Sequence, residues 1–301
     1  ASLVNALGFE SDMNTVTAAS DYTGTVVTET GTAVSTKSDY KAQCQQLELQ
    51  ILASKPPPTD FTSRVALVIG NTNYVAPTQR LPSCEQDADK MATTLESLGF
   101  DVTKAVDVKR RDFLRSFRTL LKKIKGKKNC CCVLYFSGHG LQFEEDAHLQ
   151  PIDAPANQPD RYISLRAILK DITRPSAAST FCIFLDCCRT QESQDGTGVG
   201  GALLGGVVKA CKLEPEPIQK SSMFIPAKKH AWFAIGFASD PGSAAFSAST
   251  HSFYTQALSQ RLRSREELRQ VHSRVVQDVF RATSEMQRPW FHETLIRSVV
   301  L

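Results

Sequence analysis

The chain has 301 residues, 42% of them apolar, and its 35 basic and 31 acidic side chains leave a net charge of +4. Length and apolar content suffice for one large α/β domain or two small ones around a sizeable core. The near balance of charge gives no general sign of a nucleic-acid binder. No stretch approaches the roughly 18 consecutive apolar residues of a membrane helix, and the first residues lack a basic region followed by a long apolar one. The chain therefore reads as soluble, with neither a membrane nor a nucleic acid expected as partner.

Nine cysteines, at 44, 84, 130, 131, 132, 182, 187, 188 and 211, form an odd set without the paired short spacings of a zinc site. A chain of this size needs no disulfide staples, so a reducing, cytoplasmic setting fits best.

Residues 1–60 differ in texture from the rest. Thr15 to Ser38 is rich in Thr, Ser, Ala and Gly with scattered apolar positions, the composition of an extended or disordered segment. Lys41 to Ser54 has helical spacing around Leu47, Leu49, Ile51 and Leu52. Pro56-Pro57-Pro58 stops it and puts a domain boundary at 58–63.

From Arg64 onward strands and helices alternate. The pattern predicts a strand at Val65–Gly70, a helix at Ser83–Leu98 ended by Gly99, a strand at Phe100–Val106 and a helix near Lys109–Ile124. Lys122 to Lys128 reads as a solvated helix end rather than a nucleic-acid patch, since basic side chains complement a helix C-terminus. A strand at Cys130–Phe136, a helix at Ile163–Ile172 and a strand at Thr180–Leu185 follow; Cys130-Cys131-Cys132 reads as buried strand, where cysteine packs as a small hydrophobe. Gln191 to Pro226 has the glycine- and proline-rich texture of a functional loop or cleavable linker. Beyond it come a strand at Ala231–Phe237, the turn Asp240-Pro241-Gly242, helices at Ser252–Leu262 and Glu266–Thr283, and a last strand at Trp290–Ile296. Six strands separated by helices imply an α/β three-layer sandwich: a mainly parallel, right-handed six-stranded sheet with helices on both faces. No internal repeat is visible at periods of 20 to 50 residues.

Ser137-Gly138-His139 follows one of the apolar strands, and Asp186-Cys187-Cys188-Arg189 follows another. In open α/β sheets functional groups gather at the carboxyl ends of parallel strands, so a histidine and a cysteine meet in one crevice. A thiol beside an imidazole is a nucleophile with its base. A redox pair of Cys187 with Cys188 is the weaker reading, because adjacent cysteines seldom reach disulfide geometry without strain.

These segments resemble the caspase-like cysteine peptidases of clan CD, family C14, which include caspases, metacaspases and paracaspases. Ala66 to Asn71 with Tyr74 is similar to the family's first strand and its exit, and Tyr135 to Gly140 to its histidine motif. Asp186 to Arg189 looks like its cysteine motif, with Cys188 49 residues after His139, and Phe237 to Gly242 looks like the loop opening its small subunit. The resemblance runs from about Arg64 to Leu295 and leaves out the first sixty residues. It implies a large-subunit-like part at 61–190, an intersubunit linker at 191–230 and a small-subunit-like part at 231–301. Metacaspases commonly have serine before the nucleophile, where this chain has Cys187. The acid-cysteine-arginine ending looks more like paracaspases and bacterial relatives, and the subfamily stays open.

The resemblance also implies roles. Cys188 attacks the scissile carbonyl, His139 handles the proton to the leaving amine, and water hydrolyses the acyl-enzyme. The backbone N–H groups of Gly140 and Cys188 bind the oxyanion. Cys188 is preferred over Cys187 because the family's cysteine stands third in the acid-X-cysteine element and strand alternation turns neighbours opposite ways. Substrate binding falls to Ser137, to Cys84 and Asp87 at the metacaspase spacing, to Asp186 where caspases carry glutamine, and to Asp240 in the small-unit loop. Three carboxylates around one pocket imply protein or peptide substrates with Arg or Lys before the cleaved bond. The plainer readings are that Asp87 decorates an early helical turn, where the dipole favours anions, and that Asp240 caps the Pro-Gly turn.

Lysines in the 191–230 linker make self-processing a corollary. Calcium activates many metacaspases, and Asp195 fits one position of that pattern. The paired aspartates expected before Ile163 are replaced by Asp160-Arg161-Tyr162, so no cofactor or metal is expected, with calcium kept as the alternative. Glu144-Glu145-Asp146 reads as a solvated loop. His148, His230, His251, His272 and His292 read as surface or satisfied polar residues, and Trp290 as a packing residue. The alternative class is a catalytically silent caspase-like scaffold with residues 1–60 as a docking tail. Monomer and homodimer stay equally open.

Overall fold

The computed structural model describes residues 61–76, 79–143, 146–156, 158–172, 179–188, 207–208, 231–248, 250–295 and 298–301. The helix expected at Lys41–Ser54, most of the 191–230 linker, and Glu144, Glu145 and Asp195 lie outside them.

The chain first forms β1 (Ser63–Gly70) and α1 (Ser83–Ser97), then β2 (Asp101–Val106) and α2 (Arg110–Ile124). β3 (Cys130–Ser137) follows, then the short strands β4 (Gly140–Phe143), β5 (Asp146–Leu149) and β6 (Ile163–Ser164). Next are α3 (Leu165–Ile172), β7 (Ser179–Asp186), the two-residue β8 (Val207–Val208) and β9 (Ala231–Phe237). β10 (Phe246–Ser247), α4 (Phe253–Leu262), α5 (Leu268–Ala282) and β11 (Trp290–Glu293) complete it. The main sheet has six strands in the order β11-β9-β7-β3-β1-β2. All of its pairings are parallel except β11 with β9.

Strand alternation divides the core in two. Ala66 and Val68 of β1, Cys131, Val133 and Tyr135 of β3, and Cys182 and Phe184 of β7 join one cluster with the buried sides of α1, α4 and α5. The intervening residues Leu67, Ile69, Leu134, Phe136, Ile183 and Leu185 face Phe113, Phe117 and Leu120 of α2 and Leu165, Ile168 and Leu169 of α3. The result is the expected three-layer α/β sandwich. β3 and β7 are buried along their whole length, which is why they read as unbroken apolar runs. Each large side chain so buried stabilises the fold by about 1.5–3 kcal/mol, and truncating fully buried Leu67 to Ala is expected to destabilise it by about 2–5 kcal/mol.

Helix ends follow local chemistry. α1 stops at Gly99, whose φ of +82° suits glycine and whose N–H donates to the Glu96 carbonyl at 2.9 Å. α4 is capped by Ser252, whose Oγ accepts from Thr255 N at 2.9 Å. Three features differ from the sequence expectations. A small antiparallel sheet of β4, β5 and β6 follows the histidine motif. Its strands of two to four residues are too short to show a period of two. The predicted helix at Ile163 starts at Leu165 because Ile163 and Ser164 form β6. The last strand ends at Glu293 rather than Ile296. Among the described residues no helix is long and apolar enough to cross a membrane.

Candidate active site

β3 and β7 run parallel in a register that ends with Ser137 opposite Asp186. Gly138 N then donates to the Asp186 carbonyl at 3.3 Å, so the two chains leave the sheet side by side. His139 and Cys188 each stand two residues past that last pair. Gly140 keeps the two exits in contact: a Cβ built there would fall 2.7 Å from Cys187 Sγ and 3.2 Å from the Cys188 carbonyl oxygen. Only a residue without a side chain fits that approach.

The loop after β1 holds the histidine. Tyr74 Oη accepts the His139 backbone N–H at 2.7 Å, and its ring meets the imidazole edge-on at 4.7 Å between centroids. His139 Nε2 lies 2.7 Å from the Gln79 carbonyl oxygen. A carbonyl can only accept, so Nε2 carries the proton and Nδ1 is the basic nitrogen of the neutral ring. The loop is itself tied down. Asp107 accepts from Thr72 N at 2.7 Å and from Asn73 N at 2.8 Å, while Asn71 Nδ2 donates to the Gln150 carbonyl at 3.1 Å. Burial of Asp107 opposes ionisation, but the hydrogen bonds from Asn73 and Thr72 outweigh it and hold the carboxyl below its ordinary range.

The two neighbouring cysteines part company. Cys187, 2% exposed, belongs to the core under α2 and α3, whereas Cys188, 1% exposed, belongs to the core under α1, α4 and α5. Cys188 Sγ accepts the Ala245 N–H at 3.2 Å, so the loop between β9 and α4 closes over the sulfur.

On the Cys188 side the sheet ends in a buried polar cluster. Asp87 of α1 accepts from Ser252 N at 2.9 Å, through Oδ1, and from Ser137 Oγ at 3.2 Å, through Oδ2. Asp186 Oδ2 accepts from Thr255 Oγ1 at 2.6 Å and from Ser252 Oγ. Ser252 thus bridges the two carboxylates, one through its main chain and one through its side chain. Tyr135 Oη contacts Thr255 Oγ1 and lies 3.4 Å from Asp186 Oδ2. Burial first, then Asp186 and Asp87, push its pKa up, so it stays a neutral hydroxyl. His251 Nδ1 sits 3.4 Å from Asp87 Oδ1.

Of the residues singled out from sequence, Ser137, Asp87 and Asp186 come together in this cluster. Cys84, one turn before Asp87, packs instead with Tyr74 and Leu81. Asp240 pairs with Arg288 at 2.6 Å across the Pro-Gly turn, and among the described residues its carboxylate makes no bond to the Asp87 and Asp186 cluster. Asp87 is fully buried and accepts hydrogen bonds from Ser252 and Ser137, which a mere decoration of an early helical turn would not require.

Two further expectations fail on burial. Asp146 is not part of a solvated loop: it opens β5 and its carboxylate accepts from Arg166 N at 3.0 Å and from Ser164 Oγ, fastening the start of α3. His272 is neither at the surface nor satisfied. It is buried in α5, stacked on Phe291 at 4.4 Å, its Nε2 has no hydrogen-bond partner among the described residues, and burial lowers its pKa to about 4. His251, expected as a surface or satisfied polar residue, is half-buried beside Asp87. Trp290 does pack, against Phe237 at 5.4 Å.

Sequence reasoning missed Ser252, Thr255 and the Gln79 carbonyl. Ser252 carried a signal, a serine directly before an apolar-periodic helix with Thr three residues on. The Gln79 contact carried none, because any residue supplies a carbonyl.

Residues 63–300 match the family model for the caspase domain, Peptidase_C14. The human mucosa-associated lymphoid tissue lymphoma translocation protein 1 is 27% identical over 172 residues, which are 54% of this chain and 20% of that protein. The chain thus spans about a fifth of that relative's length. Among solved structures, caspase-1 from Spodoptera frugiperda superposes with a TM-score of 0.56 at 18% identity, over 81% of this chain and 91% of that one. Protein GSU0716 from Geobacter sulfurreducens gives 0.54 at 19% identity, over 77% and 93%. The fold, the two strand-end motifs and the span of the family match agree: the chain belongs to the caspase-domain family of clan CD, a family of cysteine peptidases.

Proposed function

We propose that the chain is a cysteine endopeptidase in which Cys188 is the nucleophile and His139 its base, cleaving after Arg or Lys. The observation that carries the reading is the β3 and β7 register, which sends His139 and Cys188 out of the sheet at the same edge and the same distance past Ser137 and Asp186. With its proton held on Nε2 by the Gln79 carbonyl, the imidazole offers Nδ1 to the thiol. The thiolate attacks the scissile carbonyl, the imidazolium returns its proton to the departing amine, and water then releases the acyl group. Backbone N–H groups at Gly140 and Cys188 are the oxyanion donors in this reading.

The preference for a basic residue is supported by two buried carboxylates, Asp87 and Asp186, on the same side of the sheet as Cys188. A desolvated cation needs paired charge. Hydroxyls of Ser137, Ser252 and Thr255 hold both acids in place. Self-cleavage within residues 191–230, separating a large-subunit-like part from a small one, belongs to the same reading.

A second reading, a catalytically silent scaffold, draws on the near-complete burial of Cys188 beneath Ala245. Turnover of short fluorogenic peptides ending in Arg or Lys separates the two. The peptidase reading expects hydrolysis by the wild-type chain and none by Cys188→Ala. Absence of turnover across peptides and pH, with the protein folded, would leave the scaffold.

A further inference from the structure

Residues 109–128 hold ten lysines and arginines against one acid, Asp112, a local charge of +9 in a chain whose total is +4. The rest of the molecule is therefore net acidic, and the cations are concentrated on α2 and the turn after it. Within α2, Arg111, Arg115, Arg118 and Lys122 recur at steps of four, three and four residues, all exposed. At 3.6 residues per turn they fall within about 60° of the helix circumference and form one line about 17 Å long. Lys125, Lys127 and Lys128, also exposed, continue it into the turn.

Helix stability does not explain this line. Cations near a helix C-terminus are favourable, which accounts for Lys122 and Lys123. Lys109, Arg110 and Arg111 stand at the opposite end, where the helix dipole disfavours them. Arg111 with Arg115, and Arg118 with Lys122, are like-charge pairs four apart, which weaken a helix. Intramolecular pairing does not explain it either. Among the described residues Asp112 is the acid that serves the line, 3.0 Å from Arg115 and 3.8 Å from Arg111. Lys123, off the line, pairs with Asp101 of β2.

We propose that this face binds the phosphate backbone of nucleic acid without sequence preference. A line of 17 Å faces about five phosphates of one strand at 3.4 Å each. Three of its four members are arginines, whose planar forks match phosphate oxygens two at a time. A bilayer surface fits less well, because Phe113, Phe117, Leu120 and Ile124 of α2 are buried on the sheet and the partly buried Leu114 and Leu121 pack against the same core, which leaves no apolar face to enter lipid. The site is remote from Cys188 in the fold, since α2 covers the opposite face of the sheet.

The test measures binding of the full 301-residue chain to a fluorescent 30-base-pair DNA duplex at several salt concentrations, beside phosphatidylserine vesicles and a polyglutamate peptide. With about four phosphates neutralised, affinity should fall about 150-fold between 50 and 200 mM salt. The variant Arg111→Gln, Arg115→Gln, Arg118→Gln, Lys122→Gln keeps helix-forming side chains and should lose at least tenfold in affinity while its circular dichroism and melting temperature stay those of wild type. Absence of duplex binding at 50 mM salt, equal binding by the folded variant, or tighter binding to the vesicles or the acidic peptide than to the duplex would each overturn the proposal. The readout does not depend on peptide hydrolysis.

Discussion

The two faces of the central sheet are made by the same strands, yet they end differently. Under α2 and α3 the carboxyl edge stays apolar to the last residue, through Phe136, Leu185 and Cys187. Under α1, α4 and α5 the alternate positions Ser137, Asp186 and Cys188 turn polar and meet Asp87, Ser252 and Thr255. One face therefore holds the fold together up to its rim, and the other gives up apolar packing there for buried hydrogen-bonded groups. Such an exchange is accepted where chemistry requires it. The adjacent cysteines are the sharpest form of the contrast, because a single step along the chain moves a sulfur from one regime to the other.

The largest expected effect tests that step. Cys188→Ala should lower peptide turnover by at least about 10³-fold, whereas Cys187→Ala should leave turnover within a few-fold and loosen packing at Gly140. A reversed pattern in a side-by-side assay would assign chemistry to the wrong face. Next, Asp186→Asn removes a charge from the polar side. It should lower kcat/KM for Arg- and Lys-ending peptides by about 10²-fold, as loss of one partner of a buried charge pair costs about 2–5 kcal/mol. Equal losses on peptides with an apolar residue before the cleaved bond would point to structural damage instead.

His272 probes the same face away from the cluster. Burial lowers its pKa to about 4, while in the unfolded chain it titrates near 6.5. As pH falls, the unfolded chain takes up the proton first. This contribution is complete above about pH 6.5 and is lost progressively toward about 4, amounting to about 2 kcal/mol between pH 7 and 5. Urea titrations at both pH values should show His272→Leu lacking that share of the decline; an unchanged pH slope would contradict it. The smallest effect belongs to Asp240. Its pair with Arg288, whose side chain is 65% exposed, is a surface contact of about 0–1 kcal/mol. Asp240→Asn should alter turnover of Arg peptides by less than about threefold.

What could be read from sequence follows from which interactions are local. β3 and β7 were legible because strands buried on both faces are apolar throughout, and the His139 and Cys188 motifs were legible because each directly follows such a run. Alternation alone separates Cys187 from Cys188. The partners of the carboxylates were not legible: Ser252 and Thr255 approach Asp186 from more than sixty residues away, and nothing near Asp240 signals that Arg288, 48 residues later, pairs with it. The basic character of residues 122–128 was visible, but its extension to Arg111 becomes a single line only once α2 is a helix with its apolar side on the sheet.

The central claim, that His139 and Cys188 share one pocket suited to a basic side chain, is tested most directly by covalent capture. The folded chain is treated with a thiol-alkylating peptide ketone ending in arginine and the adduct is located by mass spectrometry. The account predicts one adduct, on Cys188, absent from His139→Ala and suppressed by excess free Arg-ending peptide. An adduct on Cys187, or labelling of Cys188 indifferent to both His139 and the competing peptide, would contradict it.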